Sequence, residues 1–230
     1  MEEKKKACAR SALEVVPARG VIGLGSGSTV AYLIEFLGEI IRESGYDLRA
    51  VPSSYQSYLL AVEHGIPIVS LDEAPVLDLT IDGADEVDSK LNLTKGGGGA
   101  LFREKVVASA SKRFVIIVDD SKIVEHLGTR SRIPIEVLPF ALRPVIRSLK
   151  EMGIVPHLRG ATKKLGPVVT DNGNFIVDLD FPSPIVDPHD VNHRLKMIPG
   201  VIETGLFVGM CDEVHVAHDE GVRVLKRTQD

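Results

Sequence analysis

Cysteine is scarce in this chain: the 230 residues include two, Cys8 and Cys211, far apart, and neither sits in a C-x-x-C pair or a Cys/His cluster. A disulfide framework and a structural zinc site are excluded on that count, and reduced thiols of a cytoplasmic protein are the expectation. Long apolar runs are lacking too. None approaches the ~20 residues that cross a bilayer, and the N-terminal MEEKKKACARSALEVV is too charged and too interrupted for a signal peptide, so no membrane partner is expected. Cations are in deficit, 27 Lys+Arg against 32 Asp+Glu for a net charge of −5, and such a surface repels a phosphate backbone. Nucleic acid is therefore not an expected partner. Low-complexity sequence is limited to one run of glycines. What remains is an ordinary globular mixture, 44% hydrophobic and 26% charged, long enough for one large domain or an ordinary domain with a small companion.

Against that plain background one stretch stands out, Ile81 to Lys105, IDGADEVDSKLNLTKGGGGALFREK. It gathers the carboxylates Asp82, Asp85 and Glu104, the ammonium of Lys95 and the glycines Gly96 to Gly99. Acids, a fixed cation and backbone donors are the parts needed to move a proton beside a carbonyl.

Periodicity sets this stretch in an alternating β/α chain. Ala7, Ser11, Ala12, Val15 and Val16 predict a helix over Glu2 to Val16, closed by Pro17 and Gly20. Val21 to Leu24 reads as a strand leading into Gly25, Ser26, Gly27, Ser28 and Thr29, after which Val30, Leu33, Ile34, Leu37 and Ile41 recur at helical spacing. Next come a strand at Leu48 to Pro52, a helix over Tyr55 to Glu63, a short strand at Ile66 to Val69 and a strand at Val76 to Ile81. This last strand delivers Asp82 at its C-terminal end, where open parallel sheets bind ligands. A helix starts directly after Gly99, and Arg113 to Val118 has the unbroken apolar character of a buried strand.

Composition shifts near Arg130. From there the pattern predicts a strand at Ile135 to Leu138, a helix over Ala141 to Met152, strands near Ile154 to Leu158 and Val168 to Thr170, a strand at Phe175 to Asp180, a helix over Pro188 to Met197 and a strand at Val201 to Leu206. Val214 to Ala217 and Gly221 to Leu225 form a closing pair of strands. The expected class is α/β, with a parallel-sheet domain over 1–130 plus 207–230 and a small α+β domain over 131–206.

Each motif has a plainer account to weigh. The loop Gly25 to Thr29 has the composition of an anion cradle, and a tight turn with Ser28 or Thr29 as N-cap explains the same residues. As a dinucleotide fingerprint it fails: Ser28 replaces the third glycine of G-x-G-x-x-G, and only Asp47 stands near the place of the expected acid. DGADEVD departs from the calcium-loop pattern because glycine follows its first aspartate directly, and a solvated acidic turn is a simpler account than a metal site. The glycine run reads as backbone that passes close to something or takes positive φ; regular elements on both sides argue against a linker. Capping alone explains a glutamate at the start of a helix, as for Glu104. Lys122, by residue type, is a loop lysine, but it lies just past a strand end.

Taken together, GLGSGST, DGADEVD, KGGGGALFREK and GLFVGMCDEV, in this order and spacing, resemble the ribose-5-phosphate isomerase A family over essentially the whole chain. The resemblance implies a Rossmann-like domain with a smaller ferredoxin-like one, and an aldose-ketose isomerase acting on D-ribose 5-phosphate and D-ribulose 5-phosphate with neither metal nor organic cofactor. It implies Glu104 as the base and a substrate held by Ser26, Gly27, Ser28 and Thr29, by Asp82, Gly83, Ala84 and Asp85, by Lys95, Gly96, Gly97 and Gly98, and by Lys122. It further implies a homodimer or homotetramer, and aligns the family's N-terminal phosphate lysine with Lys5. Ser26 is a mild departure, since threonine is common there.

The chemistry asks for the same residue types. Moving a carbonyl from C1 to C2 takes a proton from C2 and returns it to C1 through a cis-enediolate, a task one carboxylate can perform; Glu104 is the candidate. Lys95 and backbone N–H groups are candidates for stabilising the developing charge, Asp82 for opening the sugar ring and Asp85 for holding hydroxyls. Two other classes are weaker. A sugar-phosphate-sensing regulator needs a DNA-reading helical module upstream, where only one helix precedes the first strand, and a nicotinamide enzyme needs the missing glycine and acid.

Overall fold

A computed structural model describes residues 1–163 and 165–227. Its first half runs α1 (Glu2–Leu13), β1 (Arg19–Leu24), α2 (Ser28–Ser44), β2 (Asp47–Pro52), α3 (Tyr55–Glu63), β3 (Leu79–Asp82), β4 (Glu86–Val87), β5 (Leu93–Thr94), α4 (Leu101–Ser109) and β6 (Phe114–Asp119). The second half runs β7 (Ile133–Val137), α5 (Leu142–Glu151), β8 (Val155–Leu158), β9 (Phe175–Asp180), α6 (Pro188–Lys196), β10 (Val201–Thr204), β11 (Leu206–Phe207), β12 (Glu213–His218) and β13 (Gly221–Lys226). Among the described residues no helix is long and apolar enough to cross a membrane. The mixed α/β class is as predicted.

The chain forms two compact units. The first comprises Met1–Ala84, Arg103–Lys122 and Met210–Asp230, the second Asp85–Phe102 and Ile123–Gly209. The sequence-based division had left 85–102 in the first domain; in the structure this segment goes with the second unit, because β4 and β5 pair with β11 in a three-stranded antiparallel sheet.

In the first unit a six-stranded sheet has the order β13-β12-β6-β3-β1-β2, parallel throughout except for the edge strand β13. Strand β1 lies between β2 and β3, so the winding reverses direction there, and in open parallel sheets such a reversal is where ligands bind, at the C-terminal ends of the strands. Helix α2 buries Val30, Leu33, Ile34 and Leu37 in the core, each stabilising the fold by about 2 kcal/mol. Helix α1 adds Cys8, Ala9 and Ala12 to the same core. It ends at Leu13, three residues short of the predicted Val16. At α3 the Ser54 hydroxyl accepts from the Ser57 N–H while the Ser57 hydroxyl accepts from the Ser54 N–H, a reciprocal cap that sets the predicted start at Tyr55.

The second unit holds a four-stranded antiparallel sheet, order β10-β7-β9-β8. With α5 and α6 inserted as β-α-β-β-α-β, this is the ferredoxin-like arrangement. Its core joins Ile133, Ile135 and Val137 of β7 to Val177 and Leu179 of β9, Val145 and Leu149 of α5, and Leu195 of α6. Three predicted strands differ. Ile66 to Val69 and Val168 to Thr170 make only isolated bridges. Val201 to Leu206 divides at Gly205 into β10 and β11, which join different sheets; a Cβ there would lie 2.4 Å from the Lys95 carbonyl oxygen, so glycine lets the chain turn against that backbone.

Candidate active site

In the first unit the candidate residues stand at the ends of regular elements. Asp82 closes β3 fully buried, and its Oδ1 accepts from the N–H of Ser26 at 3.0 Å and of Gly83 at 2.7 Å. Gly25 makes this possible: a Cβ there would sit 2.0 Å from the Asp82 carboxyl carbon. The glycine loop thus serves first to admit a carboxylate. Gly27, at φ 102°, is the N-cap of α2, in place of the predicted Ser28 or Thr29. Its N–H donates to the side-chain oxygen of Gln56 at 2.9 Å, and the Ser26 hydroxyl donates to that of Ser54 at 2.7 Å. The donors left for an anion are those of Ser28 and Thr29, at the start of a 17-residue helix whose first N–H groups have no partner within it.

Glu104 lies in the first turn of α4 and is 5% exposed. The adjoining Arg103 guanidinium stacks 5.1 Å from the centre of the Tyr55 ring, fixing the helix against α3. Lys122, half-buried, ends a short 3-10 turn after β6. At the N-terminus Lys4 pairs with Asp120 and Asp219, both at 3.0 Å, which raises its pKa above the usual lysine value, chiefly through the Asp120 hydrogen bond. Lys6 stacks over Tyr32, while Lys5 makes no ion pair among the described residues. Both thiols are buried, and that burial pushes each up to about 12, so they are inert at neutral pH.

In the second unit Lys95 follows β5, 3% exposed, with its ammonium 5.5 Å from the centre of the Phe207 ring and its N–H donating to the Gly205 carbonyl at 2.8 Å. Gly96 takes φ 99° and Gly99 φ 81°, values that require glycine. Asp85 accepts the N–H of Gly97 at 2.8 Å, so its role here is to hold the loop. The rest of the acidic cluster is structural. Glu86, fully buried, accepts the N–H groups of Gly128 and Arg130, each at 2.6 Å, and of Ser131 at 2.9 Å, together with the Thr94 hydroxyl. Asp88 closes a turn by accepting from the N–H of Lys90 and of Asn92. Among the described residues no group of three or more His, Cys, Asp and Glu side chains forms a metal site.

A family model described as ribose 5-phosphate isomerase A (phosphoriboisomerase A) matches residues 49–221. Ribose-5-phosphate isomerase A of Thermococcus kodakarensis is 47% identical over 228 residues, 99% of each chain. The chain belongs to the ribose 5-phosphate isomerase A family. Its relative in Methanothermobacter thermautotrophicus is 48% identical over 222 residues, 96% of this chain and 97% of that one. The ribose 5-phosphate isomerase A structure from Methanocaldococcus jannaschii superposes with a TM-score of 0.94 at 43% identity, covering 98% of this chain and 99% of that one. A D-ribose-5-phosphate isomerase in complex with phospho-erythronic acid gives a TM-score of 0.95 at 46% identity, with the same coverage.

Within this family frame, the sequence reading named Asp82, Asp85, Glu104, Lys95 and Lys122 but missed Arg159 and Asp178, which together with Asp85 hold the Gly96 to Gly99 run. Arg159 and Asp178 lie on and beside strands of the second unit, and no motif near either of them marks a link to residues more than sixty positions away.

Proposed function

We propose that the chain is an aldose-ketose isomerase interconverting D-ribose 5-phosphate and D-ribulose 5-phosphate. The observation that carries this reading is Glu104: a carboxylate 5% exposed, in the first turn of the helix that follows the glycine loop, in a chain related along nearly its full length to isomerases of this name. In the forward direction its carboxylate takes the C2 proton of the open-chain aldose. The electron pair moves into a C1–C2 double bond, the aldehyde oxygen gains negative charge, and a cis-enediolate results. Return of the proton from Glu104 to C1, while the O2 proton passes to the charged O1, leaves O2 as the carbonyl and O1 as the hydroxyl of the ketose.

The ammonium of Lys95 and backbone N–H groups of the glycine loop stabilise the oxyanion. Asp82 exchanges the ring hydroxyl proton on opening, and Ser28, Thr29 and the α2 N-terminus hold the phosphate, with Lys122 contributing charge. Phospho-erythronic acid, bound by the similar isomerase, supports a phosphorylated sugar as ligand, its carboxylate sharing the planar, anionic character of an enediolate. The family relationship supports a cytoplasmic homodimer or homotetramer, which sedimentation of the purified protein measures.

The test is isomerisation of ribose 5-phosphate in deuterated water after chelator treatment. Wild type should form ketose and take up deuterium; Glu104→Gln should lose about 10³-fold in kcat. Full activity in that variant removes Glu104 as the base, and absence of ketose with the wild type removes the function.

A further inference from the structure

Four glycines in succession offer no side chain by which a fold can hold them, and each costs more entropy to order than any other residue. In the second unit an arginine does the holding. Arg159 follows β8, and its own backbone is fixed on both sides: its N–H donates to the Ile176 carbonyl at 2.9 Å, and its carbonyl accepts from the Val168 N–H at 2.8 Å. One edge of the guanidinium grips Asp178 of β9, Nε to Oδ2 at 2.9 Å and Nη2 to Oδ1 at 2.5 Å. The remaining nitrogen, Nη1, donates to the carbonyls of Gly96 at 3.0 Å and Gly97 at 2.9 Å. Both side chains are largely buried, 19% and 16% exposed, so the pair is shielded from solvent screening and its geometry is set by the planar fork.

The direction of these bonds matters. In a trans peptide the C=O and the following N–H point to opposite sides. The Gly96 carbonyl on Arg159 accordingly sends the Gly97 N–H the other way, where Asp85 accepts it at 2.8 Å. By the same rule the Gly97 carbonyl on Arg159 turns the Gly98 N–H away from the guanidinium. Gly98 is exposed, and a Cβ built on it would meet nothing within 4 Å, so the backbone there borders open space. A carbonyl bonded to a cation also polarises its peptide and makes the attached N–H a better donor.

We propose that Arg159, anchored by Asp178, is a positioning residue for the isomerisation: it orients the loop after Lys95 so that the Gly98 N–H is presented to the enediolate oxygen. This rests on the isomerase reading above. Lysine at 159 keeps the charge but lacks the fork, and cannot serve Asp178 on one edge and two carbonyls on the other.

Two readouts test the proposal, one of them independent of turnover. Hydrogen exchange over 95–101 in the full-length protein should quicken at least about tenfold in Arg159→Ala, reporting a released loop. The kcat for ribose 5-phosphate should fall about 10²-fold, the cost of one misplaced oxyanion donor, with KM changed less than about threefold. Added guanidinium should recover about a tenth of the loss or more in Arg159→Ala, and Asp178→Asn should fall between the two. Should Arg159→Ala not fold, Arg159→Lys replaces it, with the same kcat-selective loss expected. Unchanged exchange, or a wild-type kcat in either arginine variant, overturns the proposal. So does a loss carried equally by KM and unresponsive to guanidinium. A wild type that exchanges as described but forms no ketose refutes the isomerase reading, and with it the role of the loop in that reaction.

Discussion

In the first unit every candidate group stands where a regular element begins or ends: Asp82 closes β3, the glycine loop opens α2, and Glu104 lies in the first turn of α4. In the second unit the candidates hang on two-residue strands and a run of glycines, and side chains from elsewhere in the sequence fix them: Asp85 on Gly97, Arg159 on Gly96 and Gly97, Glu86 on residues 128–131. Backbone geometry places chemistry in one, side-chain tethers in the other. The two designs fail differently. A backbone-placed group is displaced by a single added methyl, a tethered one by removal of a charge or a donor.

The sharpest break is Gly25→Ala. Its Cβ would fall 2.0 Å from the Asp82 carboxyl carbon, so either strand or carboxylate must shift, at a cost of at least about 3 kcal/mol by urea unfolding and with a large loss of turnover. Gly98→Ala is the matched control in the tethered loop: with nothing within 4 Å of the new Cβ, its folding stability should stay within about 1 kcal/mol of wild type.

Glu86→Gln tests the tethers of the second unit away from the candidate residues. The amide keeps one acceptor but turns donors toward N–H groups that need an acceptor, and chemical unfolding should register a loss of about 2 kcal/mol with Asp82 undisturbed. A loss as small as that of Gly98→Ala would mean that the tethers contribute little and would erase the contrast.

The smallest effect sharpens the comparison from the other side, because the first unit has a tether of its own. Burial raises the pKa of Glu213, but the hydrogen bonds and charges of Arg113 and His215 together outweigh it and hold the carboxyl below its ordinary 4.5. A carboxyl depressed in the folded state stabilises the protein above its unfolded value and loses that contribution as pH falls through the folded one. Arg113→Ala should therefore cost about 1 kcal/mol at neutral pH, modest because Arg113 is 39% exposed, and the gap to wild type should close in acid below 4.5. A gap independent of pH would assign the loss to packing.

These two designs also explain what could be read from the chain. Tyr55–Glu63 and Phe175–Asp180 begin and end where the sequence places them, since a serine cap and an apolar alternation are local signals. Asp82 and Glu104 were legible for the same reason, each announced by the element it terminates or opens. The tether of Arg159 was not: it spans 63 residues to Gly96, and nothing in HLRGAT distinguishes an arginine that binds carbonyls from one in solvent. Nor could composition separate the duties of DGADEVD, where Asp82 meets the glycine loop, Asp85 the tetraglycine run, Glu86 a remote backbone and Asp88 its own turn. The misplaced N-cap has a similar cause, because Gly27 supplies a positive φ that neither Ser28 nor Thr29 takes easily.

Strand β13 ends the parallel sheet with a reversed neighbour, and its outer side is unpaired within that sheet. An open row of amides and carbonyls invites a foreign strand to add itself, the first step toward fibrous aggregation. Here that border carries Arg223 and Lys226 on a strand largely open to water, so a second molecule approaching edge-on meets like charge before it finds a register. The hairpin that completes the sheet thereby also guards it, keeping an extended ladder of five concordant strands from growing beyond the molecule.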